Sequence, residues 1–142
     1  MKNIYALLFV ALFAFGCSGS DEKATTKFYL TADGVQRPFF AEATDDVNAD
    51  GENAVLVYAD KTNEQLTFDV LRNATGDNII EHVEFVPDVT EGTLYYLEGA
   101  SFSEITVNTD KRLKGTFSAD MTDGTTEKYV EFNFDIRRDA NN

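Results

Sequence analysis

The chain has 142 residues, with 25 acidic and 12 basic side chains, one cysteine and a formal net charge of −13 at pH 7. This length suits one domain with a hydrophobic core, and a single cysteine excludes an internal disulfide. A strongly acidic surface repels the phosphates of nucleic acids and anionic lipid head groups, so it excludes nucleic acid as a partner and fits divalent cations or a basic partner.

The first segment has the features of a targeting sequence. Lys2 supplies a positive charge, and residues 4–15 form a continuous apolar run. That run has the length of a signal-peptide core and is too short for the roughly 20 residues of a spanning helix. Gly16 is the small residue that precedes a cleavage site. We therefore predict that residues 1–16 are a signal peptide.

Cys17 follows Gly16 directly, after the apolar run. This arrangement resembles the lipobox of bacterial lipoproteins, in which the cysteine becomes the new N-terminus and carries acyl chains. The resemblance implies lipidation at Cys17 and attachment to a membrane. The alternative is an ordinary signal peptide that ends near a chance cysteine.

Residues 17–26 are mostly small, polar and acidic, which predicts a flexible linker. Within them, Ser20, Asp21 and Glu22 resemble the acidic export signal of surface lipoproteins from Bacteroidota. The resemblance implies a lipoprotein of the outer membrane whose domain faces the outside of the cell. If these residues are a plain linker, the domain faces the periplasm instead.

Residues 27–138 are dominated by apolar residues at every second position, and we predict that they form one domain, followed by a polar tail at 139–142. The clearest strand runs from about Lys128 to Arg137. Its apolar positions are Val130, Phe132, Phe134 and Ile136. Because successive side chains of a strand face opposite sides, this strand has one core face and one face in water.

Turn residues separate the predicted strands. Asp33 and Gly34 predict a tight hairpin, because both residues tolerate positive φ. Pro38 places its strand at an edge, and Gly115 indicates a bulge. The pattern predicts an all-β fold: an antiparallel β-sandwich, Ig-like or jelly-roll-like, of about eight or nine strands. A small up-and-down β-barrel is the alternative.

Three stretches carry a family likeness: Ala32-Asp33-Gly34-Val35, Gly92-Thr93-Leu94-Tyr95-Tyr96 and Leu113-Lys114-Gly115-Thr116-Phe117-Ser118. They resemble a group of small Bacteroidota lipoproteins of unknown function. The likeness covers most of residues 27–138 and implies the same all-β fold. That group brings no activity, so the resemblance implies no site residue in the domain.

Residues 46–51, Asp-Val-Asn-Ala-Asp-Gly, match the first half of a calcium-binding loop. In such a loop the oxygens of Asp46, Asn48 and Asp50 would converge on the ion. The twelfth position is Val57, where an EF-hand needs a glutamate, so an EF-hand is excluded. One hypothesis is a calcium site of another kind with these three ligands. The alternative is an acidic, solvated loop between two strands.

His82 is the only histidine, so a site with several histidines is excluded. We expect a strand histidine flanked by Glu81 and Glu84. The chain has no Gly-x-Ser-x-Gly motif of a serine nucleophile. With 25 acidic residues, chance carboxylate pairs are certain, so a pair that hydrolyses glycosides is not indicated specifically.

Tyr58, Tyr95, Tyr96 and Tyr129 are candidates for an aromatic platform that stacks on a ligand such as a sugar. The chain has no tryptophan, which gives the largest flat apolar surface for that purpose. The alternative is that these tyrosines cover the edges of the core.

These observations predict a lipid-anchored binding or accessory module of the cell envelope without enzymatic activity. Its partner is an envelope protein or an extracellular ligand that the sequence does not identify. The alternatives are a calcium-stabilised adhesin-like or glycan-binding domain and a small hydrolase with a carboxylate pair. Calcium is the only cofactor that the sequence suggests.

Overall fold

In a computed structural model the described residues are 25–138. The predicted signal peptide at 1–16, the predicted lipidation site Cys17, most of the 17–26 linker and the 139–142 tail lie outside the described residues. No helix within residues 25–138 is long and apolar enough to cross a membrane.

The described residues form eleven β-strands. In chain order they are β1 (Lys27–Ala32), β2 (Val35–Pro38), β3 (Phe40–Val47), β4 (Asn53–Lys61), β5 (Glu64–Leu71), β6 (Gly76–Asp77), β7 (Ile80–Val86), β8 (Tyr95–Tyr96), β9 (Ser101–Thr109), β10 (Arg112–Thr122) and β11 (Glu127–Arg137). Strands β6 and β8 have only two residues each, and the other nine match the predicted number.

All strands belong to one antiparallel sheet in the order β2-β1-β11-β10-β8-β7-β5-β4-β3, with β9 paired to β10 and β6. Strand β3, at one end of this path, packs beside β1 and β11, so the sheet is nearly closed. The Phe39 N–H also donates to the Phe28 carbonyl oxygen at 2.9 Å. The all-β antiparallel prediction is confirmed, and neighbouring strands are mostly consecutive, as in an up-and-down arrangement.

Phenylalanine rings fill the space that the sheet encloses. Phe132 on β11 is fully buried. Its ring centroid lies 4.7 Å from that of Phe117, 5.1 Å from that of Phe68 and 5.5 Å from that of Phe28. Phe68 belongs to β5, whereas the other two rings belong to β1 and β10. The cluster therefore connects strands that face each other across the interior of the nearly closed sheet. The predicted inward face of the last strand is confirmed.

The local turn and bulge predictions are also confirmed. Asp33 and Gly34 have φ angles of 55° and 73°, as the hairpin between β1 and β2 requires. Pro38 ends β2, the strand at one end of the sheet. At Gly115 the register of β10 against β9 shifts, and an added Cβ would lie 2.4 Å from the Glu104 carbonyl oxygen. Glycine is therefore required there because the backbone of β9 approaches so closely.

Candidate binding site

Strand β7 carries a bulge opposite β5. Asp69 pairs with Glu81 and Thr67 pairs with Glu84, so two residues of β7 oppose one residue of β5. His82 lies in this bulge with a φ of 48°, a conformation that is uncommon for residues other than glycine. The extra residue leaves Glu81 and His82 both exposed on the outer face, although consecutive residues of a regular strand face opposite sides.

Asp69 is a buried carboxylate on the outer face of β5, and it is only 3% exposed. Its Oδ1 lies 2.7 Å from His82 Nδ1, and its Oδ2 accepts a hydrogen bond from Asn48 Nδ2 at 3.1 Å. An ionised carboxylate only accepts, so Nδ1 of the imidazole carries the proton. The hydrogen bond that His82 donates to Asp69 raises the pKa of His82 above 6.5, with smaller contributions from nearby acidic charges, while burial opposes the shift.

The loop between β3 and β4 folds around the side chain of Asn48, which is 7% exposed. Its Oδ1 accepts from the backbone N–H groups of Asp50 at 3.1 Å and Glu52 at 2.9 Å. Gly51 completes the turn with a φ of 83°. The loop thus places Asp50 beside His82, where Asp50 Oδ2 lies 3.5 Å from Nε2 of the imidazole.

Asp50, Glu81 and His82 form a group of side chains that metal ions prefer. One ligand atom of each residue lies within 4.8 Å of the others. These three residues together with Asn48 and Asp69 are called the His82 cluster below. The cluster holds three carboxylates around one imidazole, so it favours positive charge at its centre.

An open groove of about 500 Å³ crosses the outer face of β3, β4, β5 and β7 next to this cluster. We call it the acidic groove, and its lining includes Glu42, Tyr58, Thr67, Asp69, His82 and Glu84. Four of these residues form one row across the strands: Glu42 pairs with Tyr58, Tyr58 with Thr67, and Thr67 with Glu84. Within residues 25–138, every charged side chain that lines the groove, apart from His82, is acidic.

A second groove of about 500 Å³ lies over β9, β10 and β11 and is lined by Phe102, Glu104 and Glu131 among others. Phe102 is 76% exposed there. Both glutamates are exposed, and no buried carboxylate lines this groove. Both grooves present an exposed aromatic ring and carboxylates. The acidic groove is the better candidate because it adds a buried, hydrogen-bonded charge.

The three residues that were predicted to bind calcium have different surroundings. Asp46 is exposed on β3, where its Oδ1 accepts from the Val47 N–H at 2.8 Å. The Oδ1 of Asn48 already accepts two backbone hydrogen bonds. Within the part of the chain that the structure describes, Asp50 is the one member of this set that belongs to a group of possible metal ligands. The calcium hypothesis stays a prediction.

The four tyrosines of the predicted platform do not share one surface. Tyr58 and Tyr96 face outward in the same row, since Glu84 pairs with Tyr96, and they are 42% and 38% exposed. Tyr95 packs against the core, and its hydroxyl lies 3.0 Å from Thr126 Oγ1. Tyr129 is exposed on β11, opposite Asp120 of β10. Only Tyr58 lines the acidic groove.

The sequence analysis did not single out Asp69 or Glu42, and it named Glu84 only as a neighbour of His82. Asp69 occupies an outward position in the alternating pattern of β5, and this pattern alone predicts an ordinary exposed acid. One signal was available: the buried residues Ile80 and Val83 are three positions apart, which breaks the period of two and marks the bulge.

No protein-family model, no curated protein and no solved structure matches this chain.

Proposed function

We propose that this protein is a non-enzymatic binding module of the bacterial cell envelope, anchored through lipid on Cys17, and that its acidic groove binds a positively charged segment of a partner protein. The proposal rests on the lining of the groove, where Glu42, Asp69 and Glu84 accompany an exposed tyrosine and no described residue of the lining is a lysine or arginine. Carboxylates attract lysine and arginine side chains, and the face of Tyr58 favours a cation over it.

The overall charge supports the same ligand. A net charge of −13 gives a field that steers basic partners toward the protein and repels acidic ones. His82 also supports a binding role over nucleophilic catalysis. Within residues 25–138 the partner at its Nε2 is the Asp50 carboxylate, whereas a catalytic triad needs a hydroxyl at that position.

Calorimetric titration with a tetralysine peptide tests the groove. The double variant Glu42→Gln/Glu84→Gln should weaken binding by about tenfold or more, because it removes the carboxylates at both ends of the row. The matched control is Glu104→Gln/Glu131→Gln, which removes the same charge from the second groove. Equal weakening by both double variants would show that net charge alone attracts the peptide, and the proposal would fail.

Tyr58→Ala separates the ring from the carboxylates in the same titration. Loss of a cation–π contact should weaken peptide binding by several fold, since such contacts contribute roughly 0.5–1 kcal/mol at exposed sites. Tyr129→Ala is the control, because Tyr129 lies outside the groove. If a neutral oligosaccharide binds at Tyr58 more tightly than the peptide does, the glycan-binding alternative replaces this proposal.

Metabolic labelling tests the anchor. A fatty-acid analogue should label the wild-type protein in its own cells and leave Cys17→Ser unlabelled. Cleavage of the domain by protease added to intact cells would support the outward-facing arrangement on the outer membrane. Protection until the outer membrane is permeabilised would place the domain in the periplasm.

A further inference from the structure

We propose that Asp50, Glu81 and His82 form a binding site for a divalent transition-metal ion of the zinc type. This inference goes beyond the proposed function and does not depend on it. It rests on three ligand atoms that lie within 4.8 Å of one another and on the way the fold orients each of them.

The imidazole is oriented for coordination. Its Nδ1–H donates to the buried carboxylate of Asp69 at 2.7 Å. In the neutral imidazole the other nitrogen, Nε2, therefore carries no proton and lies on the side of Asp50. Histidines that bind metals almost always donate their other ring N–H to a carboxylate or carbonyl in this manner. Asp69 would therefore act as a positioning residue behind the metal ligand.

The two carboxylates are brought to Nε2 by separate backbone features. The bulge in β7 turns Glu81 and His82 to the same face. The Asn48 side chain folds the loop that carries Asp50, and the same side chain donates to Asp69 at 3.1 Å. Loop and strand are thus tied together through Asn48, which limits the freedom that the ligands would lose on binding.

The donor set selects the kind of ion. One imidazole nitrogen with two carboxylates suits zinc and related transition metals, whereas calcium and magnesium prefer oxygen donors alone. Three protein ligands leave a fourth position of a tetrahedral ion for water or for a ligand atom from outside. The site differs in this from the predicted calcium loop, with which it shares only Asp50.

Titration of the purified full-length protein with Zn²⁺ tests the site, after N-ethylmaleimide has blocked any free thiol. We expect one ion per chain. Glu81→Gln and His82→Asn should each weaken Zn²⁺ binding by at least about tenfold, and Asp69→Asn should weaken it by about 10–100-fold as a positioning residue. Asparagine is chosen at position 82 because it tolerates positive φ.

Glu84→Gln is the matched control, since Glu84 is an exposed acid of β7 outside the ligand group. It should leave Zn²⁺ binding unchanged while it weakens the binding of tetralysine, so the two proposals can fail separately. Visible absorption of bound Co²⁺ gives a second readout of the coordination geometry, and thermal unfolding shows which variants are folded. Glu81→Gln keeps the test valid if His82→Asn does not fold.

Three outcomes would overturn the proposal. The first is a wild-type protein that binds no Zn²⁺ at millimolar concentration. The second is unchanged binding in folded Glu81→Gln. The third is equal weakening in Glu84→Gln, which would show that the ion only responds to surface charge.

Discussion

The β10–β11 ladder and the β5–β7 ladder belong to the same sheet and differ in regularity. From Arg112 to Thr122, every residue of β10 opposes one residue of β11 without a shift. Between Thr67 and Asp69, the pairing of β5 with β7 shifts. Both ladders bury apolar residues on the inner face, so the difference concerns what each presents to the outside.

The regular ladder spreads its polar side chains over the surface. Successive outward residues of one strand lie roughly 7 Å apart, and each meets mainly its neighbour across the ladder. The bulged ladder instead places Glu81 and His82 side by side, next to Asp69. The irregular ladder therefore gathers the groups of the proposed binding sites, and the regular ladder contributes Phe117 and Phe132 to the core.

Removal of a ring from the regular ladder should have the largest effect on stability. We expect Phe132→Ala to lower the free energy of unfolding by about 3–5 kcal/mol. The Phe132 ring stacks against rings from three other strands, so its removal leaves a cavity among them. Urea unfolding measures this loss. The control Glu131→Ala, an exposed neighbour, should change stability by less than about 0.5 kcal/mol. A loss below about 1 kcal/mol at Phe132 would contradict the assignment of the core.

A smaller loss of stability is expected when the Asn48 side chain, which supports the irregular ladder, is removed. Asn48→Ala should lower the free energy of unfolding by about 1–3 kcal/mol, because it leaves an oxygen of buried Asp69 and two backbone N–H groups without their partner. Urea unfolding again measures the loss. Asp46→Ala is the control, since its exposed side chain bonds only to the adjacent backbone N–H in the described structure.

The same two variants test the calcium hypothesis. If calcium is bound by Asp46, Asn48 and Asp50, added calcium should raise the melting temperature of the wild type and of neither variant. If the Asn48 side chain serves only to fold the loop, calcium should leave all three melting temperatures unchanged, and Asn48→Ala alone should be destabilised.

The regular half of the fold was predictable because its signals are local. Alternation in β11 directly gives its buried face, and Asp33-Gly34 gives the hairpin through a backbone preference of those two residues. Gly115 likewise marked a bulge, for the physical reason that another backbone passes close to it. None of these inferences required knowledge of a distant contact.

The site was predictable only in part because it depends on distant contacts. The pattern of residues 46–51 suggested either a calcium loop or an acidic, solvated loop. It did not reveal that the partner of Asn48 is Asp69, which lies 21 positions further along the chain. His82 was assigned to a strand without the bulge that changes the direction of its side chain. The grouping of Asp50, Glu81 and His82 follows from loop, bulge and register together, and no single stretch of sequence contains it.

The smallest effect is expected from the charged pair on the outer face of the regular ladder. Arg112 donates two hydrogen bonds to Asp135, at 2.7 and 2.6 Å, and these bonds hold the pKa of Asp135 below its ordinary value of 3.8. A carboxyl whose pKa is lower in the folded state stabilises the fold above the pKa of the unfolded chain, and this stabilisation is lost as the pH falls through the folded-state pKa.

Asp135→Asn should therefore be slightly less stable than the wild type at pH 6, by a fraction of the effect of Asn48→Ala, because an exposed pair is screened by water. The difference should shrink as the pH falls below 3.8, because the carboxyl is protonated first in the unfolded chain and then, at lower pH, in the folded protein. Urea unfolding at several pH values measures it. A stability difference that stays constant with pH would mean that the Asp135 side chain contributes through packing. A loss of stability as large as that of Asn48→Ala would contradict the contrast between the two ladders, in which an exposed pair on the regular ladder contributes less than a buried network on the irregular ladder.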